Sequence, residues 1–181
     1  MKRLKKTDII GVHGGHARIG AVGASGYLNE VKEDRKLKNA IINELRKMGY
    51  NAVDCTVAKA SSASLCLHKI LEKSIKKHTT TNFSLHLNAG GGKGIEIYLP
   101  RGASYTTRQN AEKFCKELSR EFGFENRGVK GTGVWYVNNH LKDCYLIEVG
   151  FVDSKFDKAI YDKYGAKKIG KKIAHLMTKY L

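Results

Sequence analysis

Asp8-Ile9-Ile10-Gly11-Val12 begins a strand–loop–helix unit that sets the fold class. These five residues make a short apolar strand. A glycine-rich loop follows over residues 14–26. From about residue 29 to residue 48, Leu37, Ile41, Leu45 and Met48 recur at helical spacing with charge on the other face, and Gly49 ends that helix. Working outward, strands are expected over 52–57, 82–87 and 94–99, the last stopped by Pro100, and over 134–137 and 144–149. Helices are expected over 65–78, with Leu65, Ile70 and Ile75 inward, and over 105–122, with Ala111, Phe114, Cys115, Leu118 and Phe122 on one face. Two more are expected over 153–161 and 166–180, the latter with Ile169, Ile173 and Met177 inward. Strands alternating with helices predict an α/β fold with a mostly parallel central sheet of about six strands flanked by helices.

The length of 181 residues suits one domain, and a hydrophobic fraction of 41% argues against disorder along the chain. With Pro100 the single proline and no internal repeat, the expectation is one compact domain over 1–181 and no separate binding domain. Thirty-three Lys and Arg against seventeen Asp and Glu give a formal net charge of +16. That charge favours a polyanionic partner, whether nucleic acid, an acidic membrane surface or an anionic cell wall. No apolar run approaches the ~18 residues of a membrane span. Met1-Lys2-Arg3-Leu4-Lys5-Lys6 imitates a signal n-region, but Asp8, His13, His16 and Arg18 leave no apolar h-region after it. Cys55, Cys66, Cys115 and Cys144 form no C-x-x-C pair and read as reduced, buried thiols. The chain is therefore expected to be made in the cytoplasm without a signal peptide.

In sheets of this kind ligands gather at the carboxyl ends of the strands. His13 and His16 follow the first strand; His86 ends another and is followed by Asn88 and a glycine cluster. Glu148 stands alone in the apolar run Tyr145-Leu146-Ile147-Glu148-Val149-Gly150-Phe151. A buried carboxylate costs several kcal/mol unless it is paired, protonated or near a cation. Catalytic zinc takes three protein ligands, often two His and one Glu, and keeps one position open. Two strand-end histidines, Glu30 at the start of the first helix and Glu148 as a general base would meet that need. The spacings are long, unlike H-E-x-x-H, so on the residues alone structural histidines remain an alternative.

Gly14-Gly15-His16, Gly23-Ala24 and Asn29-Glu30 resemble the first zinc half-site of the type 3 N-acetylmuramoyl-L-alanine amidases. Ser84-Leu85-His86-Leu87-Asn88-Ala89 resembles their S-x-H-x-N-A strand end, and Asn126-Arg127-Gly128-Val129-Lys130 their N-R-G-V-K loop. Leu146-Ile147-Glu148-Val149-Gly150-Phe151-Val152 resembles the strand carrying their catalytic glutamate. The four motifs stand in the family's order, and endolysins of phages infecting Gram-positive bacteria, clostridial ones in particular, are the nearest kind. The resemblance implies one zinc per chain held by His16, Glu30 and His86, with Glu148 as general base. It implies peptidoglycan as substrate, cleaved at the amide between N-acetylmuramic acid and L-alanine, and lysis of the bacterial cell. His13 is the rival ligand; His16 is preferred because it follows the glycine pair.

One departure is visible. Where the family shows an Arg and a Pro before the glutamate strand, this chain has Trp135-Tyr136-Val137-Asn138-Asn139-His140, which leaves a substrate contact by that Arg in doubt. His68, His78 and His175 lie beside lysines and read as solvated. Gly90-Gly91-Gly92-Lys93-Gly94 lacks the Ser or Thr that a phosphate loop needs after its Lys, and no G-x-S-x-G elbow is present. The rival classes are a basic nucleic-acid-binding domain and a non-catalytic wall-binding domain. No helix-turn-helix, RRM or zinc-finger pattern supports the former, so no specific nucleic acid is expected, while anionic wall polymers are.

Overall fold

The computed structural model describes residues 3–132 and 143–181. Its elements run β1 (Ile9–Gly14), β2 (Ile19–Gly20), α1 (Glu30–Lys47), β3 (Asn51–Asp54), β4 (Lys59–Ala60), α2 (Ala63–Lys76) and β5 (Thr81–Asn88). They continue with β6 (Ile95–Pro100), α3 (Tyr105–Phe122), β7 (Asn126–Thr132), β8 (Asp143–Phe151) and α4 (Lys155–Tyr180). Among the described residues this is a single α/β domain whose central sheet has the order β3-β1-β5-β8-β6-β7. β3, β1, β5 and β8 are mutually parallel; β6 is antiparallel to β8, and β7 is parallel to β6. β2 and β4 form a separate two-stranded sheet.

Strand periodicity divides the sheet into unlike faces. Phe83, Leu85 and Leu87 of β5, Ile95, Ile97 and Leu99 of β6, and Tyr145, Ile147 and Val149 of β8 point into the main core under α1, α3 and α4. The alternate positions carry Ser84 and His86, Glu96 and Tyr98, and Cys144, Leu146 and Glu148. A smaller apolar cluster of Ala17, Val57, Cys66, Ile70, Cys144 and Leu146 covers part of that second face beneath α2. The buried stripe of α1 runs Leu37, Ile41, Leu45, and one and two turns further up the same stripe stand Asp34 and Glu30. The helix surface that anchors α1 to the core thus delivers Glu30 to the sheet's edge.

Several expectations need correction. Residues 126–130, read as a loop, belong to β7, the outermost strand; their polar character reflects an edge position. In α2, Cys66, Ile70 and Ser74 are the buried positions, while Leu65 and Ile75 are exposed. The i, i+4, i+8 row that faces Leu146 sets the helix phase, so the two larger aliphatics turn to solvent. The short strand β2 inside the glycine-rich region, which pairs with β4 at Lys59–Ala60, is not among the strands expected from the sequence. The two helices expected over 153–161 and 166–180 are borne out: Lys155–Tyr180 is divided at Gly165, whose φ of 71° and ψ of 147° are not helical. The expected strand 134–137 and His140 lie outside the described residues. The four cysteines are buried and free, and His68, His78 and His175 are exposed.

α4 is tied to the sheet by Asp157, which is fully buried. Its carboxylate accepts from Phe151 N–H at 2.8 Å and from Gly94 N–H at 2.9 Å, while its own N–H donates to the N-cap Ser154 Oγ at 3.1 Å. This one side chain joins the ends of β8, β6 and α4. Asp157→Ala leaves two buried N–H groups without an acceptor and is expected to cost about 3 kcal/mol in urea denaturation; a loss below about 0.5 kcal/mol would contradict the assignment.

Candidate active site

The parallel strands β1, β5 and β8 carry their carboxyl ends to one edge of the domain, and the site assembles there. His86 and Glu148 are cross-strand partners in the β5–β8 ladder. The chain leaves β1 through Gly14 and Gly15, whose N–H donates to Leu85 O at 3.0 Å, and turns to present His16. Glu30 arrives from the first position of α1, where Asn29 caps the helix by accepting from Lys32 N–H at 3.0 Å. The positive end of the helix dipole favours a carboxylate at that position.

Glu30 is the hub. Its Oε1 lies 3.1 Å from His86 Nδ1 and 3.4 Å from His16 Nε2, and it also accepts from Leu87 N–H at 3.2 Å. Its Oε2 accepts from Ala24 N–H at 2.8 Å. The two imidazole rings meet edge to face with centroids 5.1 Å apart. Ser84 Oγ sits 2.9 Å from the other nitrogen of His86, Nε2, so the ring is held at both ends. One donor atom each from His16, Glu30 and His86 lies within 4.8 Å of the others.

The glycines of the loop have a steric purpose. A Cβ on Gly15 would stand 1.7 Å from His86 Cε1, and one on Gly23 would stand 2.3 Å from Glu30 Oε2. Backbone passes where side chains would otherwise be, and the donors close up behind it.

The electrostatics follow from burial against pairing. Burial pushes the His16 imidazole below its ordinary value, although Glu30 opposes this. Burial works against the Glu30 carboxylate too, but the His86 hydrogen bond and both histidines outweigh it and hold the group below the usual carboxylate range. Burial would likewise lower His86, yet the Glu30 hydrogen bond and the charges of Glu148 and Glu30 leave it raised. Glu148 is pushed up to about 7, chiefly by burial, with Glu30 and Glu96 adding to the rise and His86 opposing it. Its Oε2 is buried and has no hydrogen-bond partner among the described residues. Glu148, His16 and His86 line one cavity of about 250 Å³, closed on its apolar side by Ala63, Leu67 and Leu146.

A family model described as N-acetylmuramoyl-L-alanine amidase, type 3, matches residues 9–179. The chain belongs to that amidase family. Among curated relatives, an uncharacterised protein of Clostridium perfringens strain 13 is 29% identical over 177 residues, which is 93% of this chain and 51% of that protein. The N-acetylmuramoyl-L-alanine amidase CwlM of Bacillus licheniformis is 26% identical over 121 residues, 67% of this chain and 46% of CwlM. The chain therefore spans about half the length of the curated relatives it matches. Among solved structures, the catalytic domain of the CD27L endolysin targeting Clostridia difficile superposes with a TM-score of 0.83 at 24% identity, over 95% of this chain and 97% of that one. The amidase AmiC2 of Nostoc punctiforme gives 0.77 at 17% identity, over 95% and 96%. At those identities the likeness shows a shared fold.

In this member of the family, His16, Glu30 and His86 come together and Glu148 faces the same cavity, whereas His13 does not join the donor group. His13 is fully buried on β1 with Nδ1 3.2 Å from Gly14 O. Sequence reasoning missed Ser84's contact with His86, and it missed Glu96, a buried acid beside Glu148 in the β6–β8 ladder. The signal was available: Glu96 stands alone between Ile95 and Ile97, as Glu148 does between Ile147 and Val149. Two nitrogen donors and a carboxylate make a set that suits zinc, and an unpartnered buried carboxylate oxygen in the same cavity fits a neighbouring cation. Gly15→Ala is expected to displace the His86 ring and weaken metal binding by the His16–Glu30–His86 group about 10- to 100-fold, read by competition with a chromophoric chelator. Unchanged affinity would show that the close approach of Gly15 is not what seats the ring.

Proposed function

We propose that the chain is a zinc-dependent N-acetylmuramoyl-L-alanine amidase acting on peptidoglycan, and that its cleavage of the bond between N-acetylmuramic acid and L-alanine lyses bacterial cells. The observation that carries this reading is the convergence of His16, Glu30 and His86 within 4.8 Å beside a buried carboxylate, Glu148, in a chain of this family. His16, Glu30 and His86 would hold the zinc, one ion per chain. Zinc supplies Lewis acidity, polarising the scissile carbonyl and acidifying water.

The rest of the reaction falls to the chain's own residues. Glu148 takes a proton from the attacking water and returns it to the nitrogen of the departing L-alanine, so one carboxylate serves as base and then as acid. Its Oε2, which has no hydrogen-bond partner among the described residues, can carry the proton between the two halves of that transfer. Ser84 holds His86 with Nδ1 turned toward Glu30. Ala63, Leu67 and Leu146 keep one wall of the cavity apolar. The endolysin role, with synthesis in the host cytoplasm and action on the wall, belongs to the same proposal, as does a chain that acts as one catalytic domain. The likeness to an endolysin catalytic domain supports it in fold. No helix among the described residues is long and apolar enough to cross a membrane.

Glu148→Gln keeps size and shape but cannot take the proton. It is expected to fold, to retain zinc, and to lose muropeptide hydrolysis by about 10²–10⁴-fold; near-normal hydrolysis would remove Glu148 from the mechanism, and loss of zinc would make it a ligand. The charge of +16 is proposed to draw the enzyme to anionic wall polymers. At physiological ionic strength exposed charges are screened beyond ~8 Å, so lysis of cell-wall suspensions is expected to fall as salt rises while hydrolysis of a small soluble muropeptide changes little. Lysis indifferent to salt would contradict the targeting role.

A further inference from the structure

The polar face of the sheet carries more than the residues assigned above. Reading across the strands, His86 on β5 pairs with Glu148 on β8, and Glu148 pairs with Glu96 on β6. The row ends on β7. There the β6–β7 register jumps: Ile95 pairs with Asn126 and Ile97 with Val129, so Arg127 and Gly128 together oppose the single residue Glu96. This is a β-bulge, a device that re-aims a side chain. Gly128 takes a φ of 74°, and its N–H donates to Asn126 Oδ1 at 3.0 Å. The Asn126-Arg127-Gly128 motif is thus the bulge itself, and its product is the direction of Arg127.

Arg127 is held with unusual care. Its Nε donates to Glu96 Oε2 at 2.9 Å, and its guanidinium lies 5.0 Å from the ring centroid of Phe151. Glu96 is only 1% exposed, and its other oxygen accepts from Asn88 Nδ2 at 2.8 Å and Tyr98 OH at 2.9 Å. Both carboxylate oxygens are engaged by donors on β5, β6 and β7, and the two terminal Nη groups of Arg127 have no hydrogen-bond partner among the described residues. The Arg127 side chain is 32% exposed. A guanidinium pinned through Nε, with a planar pair of donors facing out, is pre-organised for a bidentate anion.

We propose that Arg127 forms a carboxylate-binding subsite on the peptide side of the scissile bond. This rests on the amidase reading. In that reading Glu148 returns its proton to the departing nitrogen, so the peptide attached to that nitrogen continues beyond Glu148, away from the His16–Glu30–His86 cluster. Beyond Glu148 along the row lie Glu96 and Arg127. Two interstrand steps separate Arg127 from Glu148, roughly 10 Å at the backbone. The Arg127 side chain reaches back one strand to Glu96, and two extended residues span at most ~7 Å, so the carboxylate that meets the guanidinium is one borne by the second residue of the stem and not by the alanine. The subsite would distinguish stems whose second residue keeps a free carboxylate from stems in which it is amidated.

The test compares two peptides identical except for a free carboxylate or a carboxamide on the second stem residue, each with and without the muramoyl group. Isothermal titration of the zinc-loaded protein with the sugar-free peptides reads the subsite without turnover. Affinity for the acid is expected to exceed that for the amide by about 10- to 100-fold, and hydrolysis of the muramoyl forms should show the difference in KM with little change in kcat. Arg127→Lys keeps the charge but not the fork and is expected to lose most of the preference. Equal affinity, or a preference for the amide, in the wild-type protein would overturn the subsite even if every variant failed to fold. Preferential binding of the acid without hydrolysis of either muramoyl form would uphold the subsite and overturn the amidase reading instead.

Discussion

Placing the Glu30 carboxylate between two imidazoles at the edge of a buried sheet is the interaction on which the site depends. A carboxylate that is 3% exposed cannot stay ionised on its own. It is kept so by His86, by His16, by the Ala24 and Leu87 N–H groups and by the start of α1. The same arrangement leaves three donors of the right kinds facing one another. Removing any one of them strands the others in a low-dielectric pocket, so the geometry is self-enforcing before any cation enters.

The surrounding structure can be understood as support for that cluster. Leu37, Ile41 and Leu45 fix α1 on the core and thereby the height at which Glu30 enters. Gly15 and Gly23 remove the atoms that would collide with His86 and Glu30. Asp34, one turn below Glu30, is fully buried and pushed up to about 7, chiefly by burial, while Arg35 works to lower it. Asp157 fastens α4 under the ends of β6 and β8. Farther along the same row, Asn88, Tyr98 and Arg127 hydrogen-bond both oxygens of Glu96, whereas Glu148 Oε2 has no partner among the described residues. That contrast separates a structural carboxylate from one available for chemistry.

Much of this was legible in the chain. Alternating periodicities gave the sheet and helices, because each element buries a face whose spacing is local. His16, His86 and Glu148 were conspicuous as polar residues at the ends of apolar strands, and Glu30 as an acid opening a helix. What sequence could not supply was registration between strands. Glu96 obeys the rule that singled out Glu148, but its partners come from β5, β6 and β7, and their coincidence in one row is a property of the folded sheet. Asn126-Arg127-Gly128 read as a loop because a bulged edge strand has no clean alternation. Leu65 and Ile75 read as buried because helical spacing fits more than one phase, and the partner face, here Leu146 and Val57, selects among them.

Whether His16, Glu30 and His86 together hold one zinc ion is read by extended X-ray absorption at the zinc edge, on protein loaded with one equivalent. The expected first shell has two imidazoles and light oxygen scatterers at about 2.0–2.1 Å with no sulfur, and in His86→Ala the imidazole signal should diminish together with loss of stoichiometric binding. A spectrum with a sulfur shell near ~2.3 Å, or one that His86→Ala leaves unchanged, would contradict this ligand set.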